Sequence, residues 1–347
     1  MDTTPGRLLA DREFPGTGNA SARQRGLENW PGNRFGEGAT TMQAVILIGH
    51  GSLRSASGAS MIRIAARLRE RGVAPLVEAS FLNYSRPTLA EMVEKCHAQG
   101  ATTVIVQPYF LIEGTYVQQD LPALLQDVAR AYPDLDFHVA PVLGDHPAMV
   151  ALARRRVQEA EADAPRRRPA GLLFLAHGTP LPAANRPVYS VMQQVQVQMG
   201  FTYGQVGFLD CNEPEISQAV QQLVEDGARY ILALPYFLHM GRHVREDLPG
   251  ILAEVRRRYP AVTIHLARHL DYDLLLADVI AHRAAAVQEQ LAAMPCRPAG
   301  VGREAACRAG RAQVVMAHWL APSPKAQLAG SLESVETAGT LLERIGG

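Results

Sequence analysis

AVILIGHGS, residues 44–52, returns as GLLFLAHGT, residues 171–179, and the two copies lie 127 residues apart. The same offset carries Phe81-Leu82 onto Phe208-Leu209, Pro87 onto Pro214, and Gly100-Ala101 onto Gly227-Ala228. It also carries Pro108-Tyr109-Phe110-Leu111 onto Pro235-Tyr236-Phe237-Leu238, and Asp120-Leu121-Pro122 onto Asp247-Leu248-Pro249. No insertion breaks the register as far as Tyr132-Pro133 and Tyr259-Pro260. Chance does not produce such a match, so the chain holds two copies of one module.

Within a copy, AVILIG is a continuous apolar run, the mark of a parallel strand buried on both faces. Helical periodicity follows over 58–71, then LVEASF (76–81) reads as a second strand. PTLAEMVEKCHAQG is expected to open a helix at its proline and close it at Gly100. TVIVQPYF, VQQDLPALLQDVARAY, DFHVA and residues 147–160 continue as strand, helix, strand and helix. The second copy repeats this from GLLFLA (171–176) to a helix ending near Gln290. Such alternation predicts an α/β fold: two tandem three-layer modules, each a parallel four-stranded sheet with helices on both faces.

The resulting map has an N-terminal extension at 1–41, rich in Gly, Pro, Asn and Arg, which is expected to be disordered. Module one spans 42–160, a polar link 161–170, and module two 171–291. Residues 292–347 form a further linker and extension with no assigned role. Because the link is short, the modules should face each other across a cleft. Two fused modules also predict a monomer.

Composition narrows the function. The 34 Lys+Arg residues balance 34 Asp+Glu, which argues against nucleic acid held by a bulk positive field. No apolar run reaches the roughly 18–20 residues of a membrane span, and the N-terminus lacks the apolar stretch of a signal peptide. Cys96, Cys211, Cys296 and Cys307 form no CxxC pair, so neither a disulfide scaffold nor a zinc knuckle is indicated. The expectation is a cytoplasmic protein. Only Lys95 and Lys325 among the basic residues are lysine; the arginines suit carboxylate ligands, but the reading preferred is a coding bias without functional meaning.

Ligands of open parallel sheets bind beyond the carboxyl ends of the strands. In module two those ends carry His177, Asp210 and, in the loop after the third strand, His243. The offset puts His50, Asn83 and Tyr116 at the matching places in module one. Two imidazoles and a carboxylate suit a borderline divalent cation such as Co²⁺, Fe²⁺ or Ni²⁺, so His177, His243 and Asp210 are the candidate metal ligands. In FLHMGRHVREDLP, Gly241 would permit a tight turn near a ligand. Asp247 could accept the second N–H of His243; against this, Asp120 stands at the same place without a histidine and could simply serve a helix dipole. Arg242 and Arg245, with Arg54 and Arg186, are candidate partners of ligand carboxylates. His239 could add a ligand or line the cleft. Cys211 could be a soft ligand, but is read as a buried structural thiol.

The GHGS and AHGT strand ends, the FL-x-x-x-x-P segments and the P-x-F-L…G-x-H-V-x-x-D-L-P loop resemble the sirohydrochlorin chelatases of class II. The resemblance covers about 43–290. It implies a bilobal fold of flavodoxin-like halves and insertion of Co²⁺ or Fe²⁺ into sirohydrochlorin, towards cobalamin or siroheme. It further implies that one histidine after strand one and one in the GxH loop serve the metal and the pyrrole protons, here His177 and His243. His50 and Tyr116 would then bind the macrocycle, and no organic cofactor is needed. A neutral imidazole is a suitable acceptor for a displaced pyrrole proton. No dehydrogenase or methyltransferase domain accompanies the modules, which leans the metal towards cobalt. The competing expectation is a tetrapyrrole or metal carrier without turnover.

Overall fold

The computed structural model describes residues 42–51, 58–239, 241 and 243–293, with backbone alone for 243 and 244. The expectations for 1–41, for Arg54 and Arg242, and for 294–347 lie outside the described residues.

Module one runs β1 (Gln43–Gly49), α1 (Ala59–Glu70), β2 (Leu76–Phe81), α2 (Leu89–Ala98), β3 (Thr103–Pro108), α3 (Leu121–Ala131), β4 (Asp136–Val139) and α4 (Pro147–Asp163). Module two repeats it as β5 (Ala170–Ala176), α5 (Arg186–Met199), β6 (Tyr203–Phe208), α6 (Ile216–Glu225), β7 (Tyr230–Pro235), α7 (Leu248–Arg258), β8 (Thr263–Leu266) and α8 (Leu274–Ala293). Every strand pair is parallel, and the orders are β2-β1-β3-β4 and β6-β5-β7-β8. This is the flavodoxin-like arrangement, whose switch point lies between the first and third strands. β1 runs beside β3 from Gln43↔Thr103 to Ile48↔Pro108, so both strands deliver their carboxyl ends to one edge.

The alternation of β1 decides what covers it. Ala44, Ile46 and Ile48 pack with Leu89 and Val93 of α2 and Leu121 and Leu125 of α3. Val45 and Leu47 turn to the opposite face, where Met61, Ile64 and Leu68 of α1 lie. Burying each of the Val, Leu, Ile and Met side chains among them is worth about 1.5–3 kcal/mol.

The sequence reading missed the source of the remaining cover. The last helix of each module crosses to the other: α4 packs on α5 and β7, and α8 packs on α1 and β3. One apolar cluster therefore joins Val45, Leu47 and Ile105 of the first sheet to Leu172, Phe174 and Leu232 of the second, through Ile280 and Val287 of α8. Polar bonds pin the exchange. Arg63 lies 3.7 Å over the Tyr272 ring, Ser60 donates to Asp271 at 2.9 Å, and Arg71 pairs with Asp278 at 2.7 Å. At the other crossing Arg156, 1% exposed, donates to the carbonyls of His269 and Leu270 and to Asp273.

Several local details differ from the expectation. Pro87 precedes the start of α2 rather than opening it; Thr88 is the cap, in a reciprocal box with Glu91. The third strand stops at Pro108, before Tyr109-Phe110. A five-residue π-type turn, Tyr116–Asp120, precedes α3, and His243–Asp247 precedes α7 in the same way.

His269, at the Arg156 crossing, is buried, and its sister position in module one is Val142. Burial first, then the neighbouring Arg268 and Arg156, hold its imidazole below the usual value, against the pull of Asp271. Below pH of about 6.5 the unfolded chain binds a proton that the native state resists, so stability falls as pH drops. His269→Val should make that decline shallower in thermal melts taken between neutral and acid pH; an unchanged profile would refute it.

Candidate functional site

The ladders continue past the strands. Leu82 and Asn83 donate to the carbonyls of Gly49 and His50 at 2.9 and 3.0 Å. Leu209 and Asp210 do the same to Ala176 and His177, both at 2.9 Å. His50 and His177 thus sit at the middle of each sheet's carboxyl edge. The glycine after each histidine is compulsory: Gly51 and Gly178 have φ of +85° and +93°, in the left-handed region that favours glycine. A Cβ at either would overlap the carbonyl of Asn83 or Asp210. Gly178→Ala should therefore cost roughly 1–3 kcal/mol or more, read as a lower urea midpoint; an unchanged midpoint would contradict the packing.

The two imidazoles share one polarity. Nδ1 lies 2.9 Å from the Gly51 carbonyl in His50 and 3.3 Å from the Gly178 carbonyl in His177. A carbonyl only accepts, so this contact calls for the proton on Nδ1 and leaves the basic lone pair on Nε2. His50 is half-buried and His177 exposed.

Around these histidines the halves diverge. The Tyr116 ring stands edge-on to His50 at 4.3 Å, and Tyr84 lies 5.8 Å from it. Burial, with Tyr84 and Asp120 nearby, pushes the Tyr116 phenol above its usual range. It is a neutral hydroxyl near pH 7, a poor metal ligand. Asp210 is exposed, and its Oδ1 accepts from the Cys211 N–H at 2.7 Å. His243 opens the turn that leads into α7, and its side chain lies outside the described residues. Arg245 is exposed and Asp247 half-buried in the same turn, and Arg186 is exposed at the start of α5. Among the described residues no group of three or more His, Cys, Asp or Glu side chains could hold a metal.

One reading needs correction. Cys211 is exposed rather than buried, with a φ of 64°. Partial desolvation, then Asp210, pushes its thiol up, away from a thiolate ligand. A Cβ on Gly241 would meet nothing within 4 Å among the described residues, so the turn itself does not demand glycine there. His239 lies against Tyr109 of the other module, 5.6 Å between ring centres.

That contact joins the two edges, as does Gly114, whose Cβ would touch Thr179 Oγ1 at 3.4 Å. Asn212 went unnoticed in the sequence. Its Oδ1 accepts from the Thr179 N–H at 2.7 Å and from Asn185 at 2.8 Å, and so fixes the loop after His177. An Asn-Glu-Pro run was its only signal.

A family model for CbiX matches residues 44–160 and again 171–287. The chain belongs to the CbiX family. Its two CbiX modules are similar to a sirohydrochlorin cobaltochelatase of Priestia megaterium, 24% identical over 249 residues, 71% of this chain and 80% of that protein. A sirohydrochlorin ferrochelatase of the same organism is 22% identical over 245 residues, 70% of this chain and 89% of that protein. Among solved structures, SirB from Bacillus subtilis with Fe³⁺ has a TM-score of 0.64 at 22% identity, covering 72% of this chain and 98% of that one. CbiX, described as the terminal enzyme of siroheme biosynthesis in denitrifying bacteria, has a TM-score of 0.51 at 21% identity, covering 70% of this chain and 98% of that one. These structures establish the bilobal α/β fold. No described helix is long and apolar enough to cross a membrane.

Proposed function

We propose that this CbiX-family chain is a chelatase that inserts a divalent metal, Co²⁺ or Fe²⁺, into sirohydrochlorin, with module two as the working half. The observation that carries this reading is the asymmetry at one loop position of two otherwise equivalent modules: His243 in the second, Tyr116 in the first. Metal entry displaces two pyrrole protons from the free-base macrocycle. His177, with its lone pair on Nε2, accepts one of them, and His243 serves the metal and the second proton. Asp210 lends charge to the incoming cation beside His177. Asp247, four residues after His243 in the same turn, orients that imidazole. Arg242 and Arg245 meet the macrocycle's carboxylates as charge-assisted partners.

The test is anaerobic insertion with purified full-length protein, Co²⁺ and Fe²⁺ side by side, followed by the absorbance of the macrocycle. Cobalt is the first metal to try. Insertion above the spontaneous rate with either metal supports the reading, and the faster metal names the activity. Saturable binding without turnover would mark a carrier instead.

A further inference from the structure

Tyr84 has no role in the chemistry above, and Tyr116 enters only as an expected contact of the macrocycle. Tyr84 is 66% exposed and Tyr116 43%, at the carboxyl edge of the first sheet. They flank the half-buried His50, and Phe110 backs Tyr116 at 6.5 Å with planes 26° apart. Tyr84 is held outward by a backbone φ of 59°, a conformation that bulky residues avoid. Ser85 closes the turn by donating to the Asn83 carbonyl at 2.6 Å. Module two uses the same backbone device at Cys211, φ 64°, without a ring. A strained, water-exposed aromatic ring beside two others is the arrangement of a stacking surface rather than of a core. It also borders the sheet edge that holds His177, because Gly114, two residues before Tyr116, lies against Thr179, two residues after His177.

We infer that the degenerate module is a stacking platform: Tyr84 and Tyr116 hold one face of the flat conjugated macrocycle, so that its other face is presented to module two. The inference rests on the sirohydrochlorin reading above, and it turns loss of the first metal site into a gain of substrate binding. The platform needs no metal, so it acts on the free macrocycle.

The test titrates metal-free sirohydrochlorin into the full-length protein, read by fluorescence, alongside insertion kinetics. Tyr84→Ala should weaken binding and raise KM by about tenfold, while kcat changes little. Tyr84→Phe should keep wild-type affinity, because stacking needs the ring and not the hydroxyl. Tyr84→Gly separates binding from folding: glycine suits the positive φ, so Tm should rise while affinity falls. Unchanged affinity in Tyr84→Ala, with wild type binding normally, would overturn the platform and leave the chelatase reading standing. Wild-type protein that fails to bind the macrocycle would overturn both.

Discussion

Alanine at His177 should lower metal insertion by about 10²–10⁴-fold, the range for loss of a positioned proton acceptor. His243→Ala should fall in the same range, and His50→Ala should cost far less. The two strand-end histidines have the same backbone setting, the same glycine behind them and the same Nδ1 contact. A difference in their effects must therefore come from what faces each one. His50 faces the Tyr116 ring, a phenol that is neutral near pH 7 in any case and that its surroundings push further from ionising. His177 shares its half with a second imidazole and with Asp210. His177→Ala and His50→Ala should keep the fold, since neither is a core residue. The measurement is insertion kinetics with one metal. Near-normal activity in His177→Ala together with a dead His50→Ala would reverse the assignment of the working half.

The largest effect on stability is expected at Arg156. Its guanidinium is 1% exposed, on α4 of module one, and reaches two carbonyls and the Asp273 carboxylate of module two. Arg156→Ala would leave those carbonyls buried without their donor. Asp273, also buried, would keep Arg155, at 2.7 Å, and the Leu275 N–H, at 3.0 Å. Breaking a buried ion pair from one side costs about 3–5 kcal/mol, so the urea midpoint should drop sharply. Both modules should still unfold in one transition, because a single apolar cluster spans them. Two separated transitions, or a midpoint near wild type, would show that the crossing does not couple the halves.

The strands were legible because a strand buried on both faces leaves a plain record: AVILIG and GLLFLA are apolar without a break. The unbroken offset then placed each strand-end residue by arithmetic, so His50, His177, Asn83 and Asp210 fell where expected. What could not be read was which module a helix covers. The apolar positions of α8, among them Ile280 and Val287, look the same whether they face their own sheet or the other. The π-type turns were hidden for a related reason, since YVQQD and HVRED suit an α-helix as well. Tyr84 was overlooked because a positive φ on tyrosine runs against propensity, and only the fold enforces it. Asn212 acts through a loop 33 residues away, a closure that no local pattern announces.

The traded helices also decide how the two modules can move. In a clamshell, two lobes swing about the strands that connect them, and substrate is trapped by closure. Here each lobe wears the other's helix, so a wide swing would peel α4 and α8 from the sheets they seal. The short connection at 164–169 is then a tether and not a hinge, itself pinned to module two where Arg166 donates to the Met199 carbonyl and the Tyr230 hydroxyl donates to the Ala164 carbonyl. Under the proposed function, the macrocycle would then enter past the loops bearing Tyr84 and His177, between lobes tied together by their exchanged helices.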